Sequence, residues 1–203
     1  MRSSISRVCF SAIFCSLLIA PLARAQAADS ASDPGYVAGD AKFMTGMIGH
    51  HAQAVLISGW APTHGASPSI IRLTERIVVG QQDEIQLMET WLQDRGEPVP
   101  DPSSHANHAG MDHSMHMPGM LNAAQLDSLD NARGPEFDRL FLTYMIQHHK
   151  GAIVMVNELF ATHGAGQDEP TFRLASNIYA DQTTEIARMQ KMLAALDAEG
   201  TSP

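Results

Sequence analysis

Residues 43–51 read FMTGMIGHH, and residues 141–149 read FLTYMIQHH. The match continues beyond them. Thr63-His64-Gly65 returns as Thr162-His163-Gly164, and Gln81-Gln82-Asp83-Glu84-Ile85 returns as Gln182-Thr183-Thr184-Glu185-Ile186. Met88 corresponds to Met189 and Leu92 to Leu193. The offset drifts from 98 to 101, as a turn lengthened by three residues would produce. A repeat of this length is a duplicated supersecondary unit, not a short solenoid motif.

Each copy reads as two helices. Phe43, Met47, His50, Ala54 and Ile57 recur at spacings of three and four, one face of an α-helix. Ile70, Leu73, Ile77, Glu84, Met88 and Leu92 do much the same in the second segment. Pro68 and Pro135 stand where a helix tolerates proline, at its first position. Gly65, Gly96, Gly164 and Gly200 stand where helix ends need a left-handed residue. The pattern predicts helices over roughly 40–62, 68–95, 136–162 and 170–198, with a short one around 122–132. Pro62 should stop the first of them a few residues early or kink its last turn. Two such hairpins make an all-α four-helix bundle. The connection over 96–134 is long enough to run the length of the bundle, so two topologies stay open.

Composition narrows the function. The 203 residues carry 13 Lys+Arg against 22 Asp+Glu, a net charge of −9. That balance argues against nucleic acid, which needs a basic stripe to release counterions from phosphate. With 44% hydrophobic residues the chain is no disordered acidic tail. Arg2 and Arg7, the apolar run from Val8 to Ala20 and Ala23-Arg24-Ala25 together read as a signal peptide over residues 1–25. Thirteen apolar residues are too few to span a bilayer, which takes about 20. The expected product is a periplasmic or secreted protein of residues 26–203, a single duplicated domain without stable membrane insertion. Its three lost arginines leave ten basic residues against 22 acidic ones, a charge of −12. Cys9 and Cys15 leave as well, so no disulfide or thiol chemistry remains.

His50 lies 14 residues before His64, and Glu84 lies 16 after Pro68; His148 lies 15 before His163, and Glu185 lies 15 after Pro170. At about 1.5 Å per residue, every one of these groups stands roughly 21–24 Å from its hairpin turn. Each hairpin therefore sets a pair, His50-His51 or His148-His149, level with a glutamate, Glu84 or Glu185. One helical turn farther from the hairpin turn lie Met47 with Met88, and Met145 with Met189. Imidazole, carboxylate and thioether suit copper or zinc in the nitrogen and oxygen layer, and Cu(I) beside sulfur. Methionines at helical spacing also serve as core filler, and a buried His–Glu pair can simply hold helices in register. Both readings of the layer stay open. Adjacent histidines point about 100° apart, so at most one imidazole of each pair is expected to aim at the axis.

The doubled M-x-x-HH with Q-x-x-E-I-x-x-M resembles the bacterial domain-of-unknown-function family three hundred and five. The resemblance covers roughly residues 40–198, and both motif copies are intact. It implies a ferritin-like bundle and candidate copper ligation by Met47, His50, His51, Met145, His148 and His149. Glu84 and Glu185 stand at the family's glutamate position. Some members of that family are periplasmic copper-binding proteins.

Between the halves, residues 105–120 read HANHAGMDHSMHMPGM. His105, His108, Met111, His113, Met115, His116, Met117 and Met120 show no hydrophobic period, and Gly110, Pro118 and Gly119 break any helix. Core packing does not explain methionines in such a stretch, which is expected to lie outside the core. His-rich tracts read as metal binding, and thioethers point to Cu(I), with silver as a second soft ion. A similar richness in Met and His marks periplasmic copper-resistance proteins. Copper, as Cu(I) or Cu(II), is therefore the expected ligand, and sequestration or trafficking the expected role. Two other classes compete. A ferritin-like di-metal oxidoreductase would need Glu-x-x-His, and no glutamate in the chain has a histidine three residues later. His-Glu-x-x-His is missing too, so the expectation is a non-enzyme. The third class is a structural or interaction bundle with an incidental Met/His loop.

Overall fold

The computed structural model describes residues 35–101 and 117–200. The expected signal peptide and six of the eight candidate linker ligands (His105, His108, Met111, His113, Met115 and His116) lie outside the described residues. The rest form five helices and, among the described residues, no strand: α1 Ala38–Ser58, α2 Pro68–Asp94, α3 Ala123–Asn131, α4 Pro135–Ala161 and α5 Glu169–Gly200.

The punctuation acts where the sequence places it. α1 ends at Ser58, four residues ahead of Pro62, and α2 and α4 each begin on their proline. Gly65 and Gly164 turn the two hairpins at φ +69° and +77°, a backbone that a Cβ would strain. α3 opens on a reciprocal cap. The Asn122 side chain accepts from the Gln125 amide, and the Gln125 side chain accepts from the Asn122 amide.

Hydrogen bonds at the two ends settle the topology. The Gly134 amide, just ahead of α4, donates to the His64 carbonyl in the first turn, at 2.8 Å. At the opposite end the Gly166 amide of the second turn donates to Asp40 in the first turn of α1. α1 and α4 are thus antiparallel neighbours, and the two hairpin turns lie at opposite ends. α2 finishes beside the second turn, where Trp91 and Arg95 both donate to Asp168. α2 thus ends at the second turn while α3 packs at the first, so the two ends of the connection between them lie at opposite ends of the bundle.

α1 packs on α2, α4 on α5, and the hairpins join through α1 and α4. Two apolar clusters fill the interior. At the first turn Ile57, Leu73, Phe137, Phe141, Met145 and Met189 pack with Leu121, Leu126 and Leu129 from the returning linker. At the second turn Phe43, Met44, Met47, Met88, Trp91, Met155 and Leu159 pack together. Each such side chain contributes about 1.5–3 kcal/mol on burial. His50 lies between Met47 and Ala54 on α1, and His148 between Met145 and Ala152 on α4. The histidines therefore occupy the layer between the clusters.

Candidate metal centre

His50, His51, His148 and His149 are all fully buried. One ring of each pair, His50 and His148, aims at the junction of the hairpins, as expected, and the second ring of each pair is buried as well. α1 and α4 are each covered on two sides, by their own hairpin partner and by one another, so directions 100° apart both lead inside. The outer pair of rings turns to the hairpin partner. His51 Nε2 donates to Glu84 Oε2 at 2.8 Å, and His149 Nε2 donates to Glu185 Oε2 at 2.7 Å. The inner pair meets across the hairpin junction, where the His50 and His148 rings lie with centroids 3.9 Å apart, tilted by 37°. The two halves repeat closely: in each, the adjacent rings are 6.3 Å apart and tilted by 57°.

The linker breaks this symmetry. His50 Nε2 donates to the Pro118 carbonyl at 3.0 Å, and Leu121 exchanges two hydrogen bonds with the Gln53 side chain. Position 53 is Gln in the first half, and its counterpart in the second is Gly151. A Cβ on Gly151 would fall 1.9 Å from the Pro118 oxygen, so this glycine is what lets the linker backbone lie directly on α4. Met117 packs against the cluster that holds Met44 and Met47. The expectation that the Met/His-rich stretch lies outside the core is thereby corrected for Met117, because Pro118 and Gly119 fasten the chain at that point. Met120 follows, half-buried, with its amide donating to the Met117 carbonyl.

The electrostatics favour neutral rings at the hairpin junction, for His50 and His148. Burial, then the neighbouring His51, lowers the His50 pKa to about 3. Burial, then His50 and His149, holds His148 well below its ordinary value. A neutral ring that donates from Nε2 keeps a lone pair on Nδ1. Nδ1 of all four histidines, together with Nε2 of His148, is buried without a hydrogen-bond partner. Each orphaned nitrogen costs about 1–3 kcal/mol. An imidazole whose other nitrogen donates to a carboxylate or a backbone carbonyl is how proteins prepare metal-ligating histidines. Three of the four rings are held that way. The residues therefore fit a soft or borderline metal, although among the described residues no three His, Cys, Asp or Glu side chains gather around one point.

Met47, Met88, Met145 and Met189 are all fully buried. The structure divides them: Met47 and Met88 lie on the second-turn side of the histidines, Met145 and Met189 on the first-turn side. The sequence reading missed Met44 and Met155, which share the cluster of Met47; their helical spacing on α1 and α4 was the available signal. It also missed the Pro118 carbonyl, a backbone group that no residue pattern marks. Gln81 and Gln182, visible in the repeat, are buried beside the glutamates.

The fold and site define a class, a duplicated helical-hairpin bundle with a buried histidine layer braced by two carboxylates. The family described as "Domain of unknown function (DUF305)" matches residues 40–193, and the chain belongs to it. A DUF305 protein of Streptomyces coelicolor, described as secreted, is 26% identical, with 78% of this chain and 94% of that one covered at a TM-score of 0.65. A DUF305 fragment from Deinococcus radiodurans is 25% identical, covering 79% and 98% at 0.67. CopM in its Cu(II)-bound form is 29% identical, covering 77% and 96% at 0.61. CopM is also known in Cu(I)-bound and silver-bound forms. An uncharacterized protein of Acanthamoeba polyphaga mimivirus is 36% identical over 56 residues, and the chain spans 37% of its length. Among the described residues no helix is long and apolar enough to cross a membrane.

Proposed function

We propose that this protein binds copper outside the cytoplasm and sequesters or carries it rather than catalysing a reaction. The observation that carries the reading is the set of buried, unpartnered imidazole nitrogens, three of whose rings are braced from behind by Glu84, Glu185 and Pro118. His50 and His148 offer nitrogen at the hairpin junction, and His51 and His149 offer it beside them. Glu84 and Glu185 act through the histidines they orient. Met47, Met88, Met145 and Met189 supply sulfur above and below. The copper and silver forms of CopM support this choice of ion for a related chain.

The linker is the entry site. His105, His108, Met111, His113, Met115 and His116 lead directly into Met117, which packs one turn of α1 from His50. Thioethers and imidazoles capture Cu(I) without a preformed cage, and a thioether needs no deprotonation to do so. The absence of cysteine after removal of residues 1–25 fits an oxidising compartment, where thiolates would crosslink.

Metal analysis of untagged protein purified from a periplasm tests the reading. Copper above all other transition metals is the expected result. Iron or manganese in a two-ion ratio would favour the oxidoreductase, and a metal-free chain that also ignores added Cu(I) would leave only a structural bundle.

A further inference from the structure

α2 and α5 face each other across a cleft of about 300 Å³, walled by Arg76, Gln81 and Glu84 on one side and Asp181, Gln182 and Glu185 on the other. Gln81 and Gln182 are only 3% and 2% exposed. Even so, both polar atoms of the Gln81 amide, and the oxygen of Gln182, have no hydrogen-bond partner. A buried carbonyl without a donor is costly unless water or a cation meets it. Glu84 and Glu185 each give Oε2 to an imidazole and keep 14% and 15% of the side chain exposed, which leaves Oε1 to the cleft.

Asp181 stands at the rim. Burial, then the charges of Glu84 and Glu185, raises its carboxyl above the ordinary range, against the opposing pull of Arg76. Three carboxylates thus share one space with a single guanidinium. The repeat is broken here as well. The counterpart of Asp181 is Gly80, where a Cβ would meet nothing within 4 Å. One half supplies an acid and the other supplies room.

We propose that this cleft binds one hydrated hard divalent cation of the calcium or manganese(II) class, held by the amide oxygens of Gln81 and Gln182 and, through water, by Glu84, Asp181 and Glu185. The donors are all oxygen, the set such ions prefer and Cu(I) does not. They do not converge as a closed cage, so the ion keeps part of its hydration and the affinity is modest, with Kd about 10⁻⁴–10⁻³ M. Its place is structural. It ties α2 to α5, which are not among the closely packed helix pairs, and it meets the stranded amide oxygens of Gln81 and Gln182. The site does not depend on the copper reading.

The test uses the full mature chain, freed of copper, with Mn²⁺ as the paramagnetic probe. Electron paramagnetic resonance should show one Mn²⁺ per chain, displaced by Ca²⁺, unaffected by prior loading with Cu(I), and accompanied by a rise in melting temperature. Asp181→Asn should lower the Mn²⁺ affinity about tenfold, since charge count sets affinity in such sites. The Gln81→Leu, Gln182→Leu double variant should abolish binding with helicity intact. Asp83→Asn, an exposed acid of α2 outside the cleft, should leave it unchanged, as should His148→Leu. No stoichiometric binding up to about 10 mM Mn²⁺, equal affinity in Asp181→Asn, or loss of the bound Mn²⁺ on Cu(I) loading would each overturn the proposal. If the glutamine variant unfolds, Asp181→Asn alone decides, because that side chain is exposed and its change leaves the core intact.

Discussion

Gly151→Ala should loosen the linker from the bundle and weaken copper binding through a contact on the far side of the histidine. The added Cβ would meet the Pro118 oxygen at 1.9 Å, the Pro118 carbonyl carbon at 2.4 Å and the Gly119 Cα at 2.7 Å, all backbone atoms that cannot rotate away. Ordinary contact requires the linker to recede by about 1.3 Å or more. His50 then loses its acceptor at 3.0 Å, and Gln147 loses the Gly119 carbonyl at 3.2 Å. Each net loss is about 1 kcal/mol, and stranding a buried ring nitrogen adds about 1–3 kcal/mol. Alanine returns about 1 kcal/mol of helix propensity. The balance is a destabilisation of about 2–4 kcal/mol, or roughly 4–16 °C in Tm for a domain of this size. Gly80→Ala is the control, because its Cβ meets open space and should stabilise by about 0.5–1 kcal/mol. Thermal and urea unfolding of the copper-free variants, followed by circular dichroism, gives both numbers. Cu(I) competition titration should show a 10–100-fold loss for Gly151→Ala, the usual cost of removing an orienting partner. A Gly151→Ala protein at least as stable as the parent, or one that binds copper equally well, would refute the role assigned to the Pro118 contact.

Other outcomes follow from the same layer. His148→Leu removes a buried ring with two orphaned nitrogens, so the copper-free protein should gain about 1–3 kcal/mol in urea unfolding while copper affinity falls; a large destabilisation would mean that the ring has partners after all. Glu84→Gln with Glu185→Gln should keep the helical circular dichroism spectrum and weaken Cu(I) binding about 10–100-fold; unchanged uptake with a lower Tm would make the layer a register device. The copper-free protein should lose stability on acidification. The unfolded chain protonates His50 near pH 6.5 and the folded chain only near 3, so this stability is complete above about 6.5 and falls below it. By pH 5 the loss from His50 is about 2 kcal/mol, with His148 acting in the same direction, and a flat profile in urea unfolding between pH 7 and 5 would contradict it. Deleting residues 105–116, and no further, should remove a fast phase of Cu(I) uptake while leaving the helices intact. Extending the cut through Met117–Met120 should lower Tm as well, because that part is packed.

The repeated motif made the four long helices and the common height of the histidines and glutamates legible, since rise per residue is fixed once the turns are located. Pro62 even marked the early end of α1. Two things were beyond such reasoning. The choice of topology rests on tertiary hydrogen bonds, Gly134 to His64 and Gly166 to Asp40, whose donors are backbone amides common to nearly every residue. The burial of both imidazoles in each pair depends on how many sides of α1 and α4 are covered, a property of the assembly rather than of either helix. Met117 was misplaced for a related reason. Nothing in a Met/His-rich stretch announces that a proline carbonyl three residues before Leu121 will rest on a buried histidine.

Each glutamate clasps a histidine of its own hairpin, and the hairpins meet at the adjoining His50 and His148 rings. Two copies of a half-length chain could therefore build the same junction as an isologous pair, in which the two rings would be chemically identical. Joining the halves in one polypeptide removes that identity. The tether can pass on only one path, so it gives the Pro118 carbonyl to His50 and offers His148 no linker counterpart. The fused chain thus holds two unequal imidazoles where a dimer would hold equal ones, and duplication has created a difference that natural selection could then act on separately at each ring.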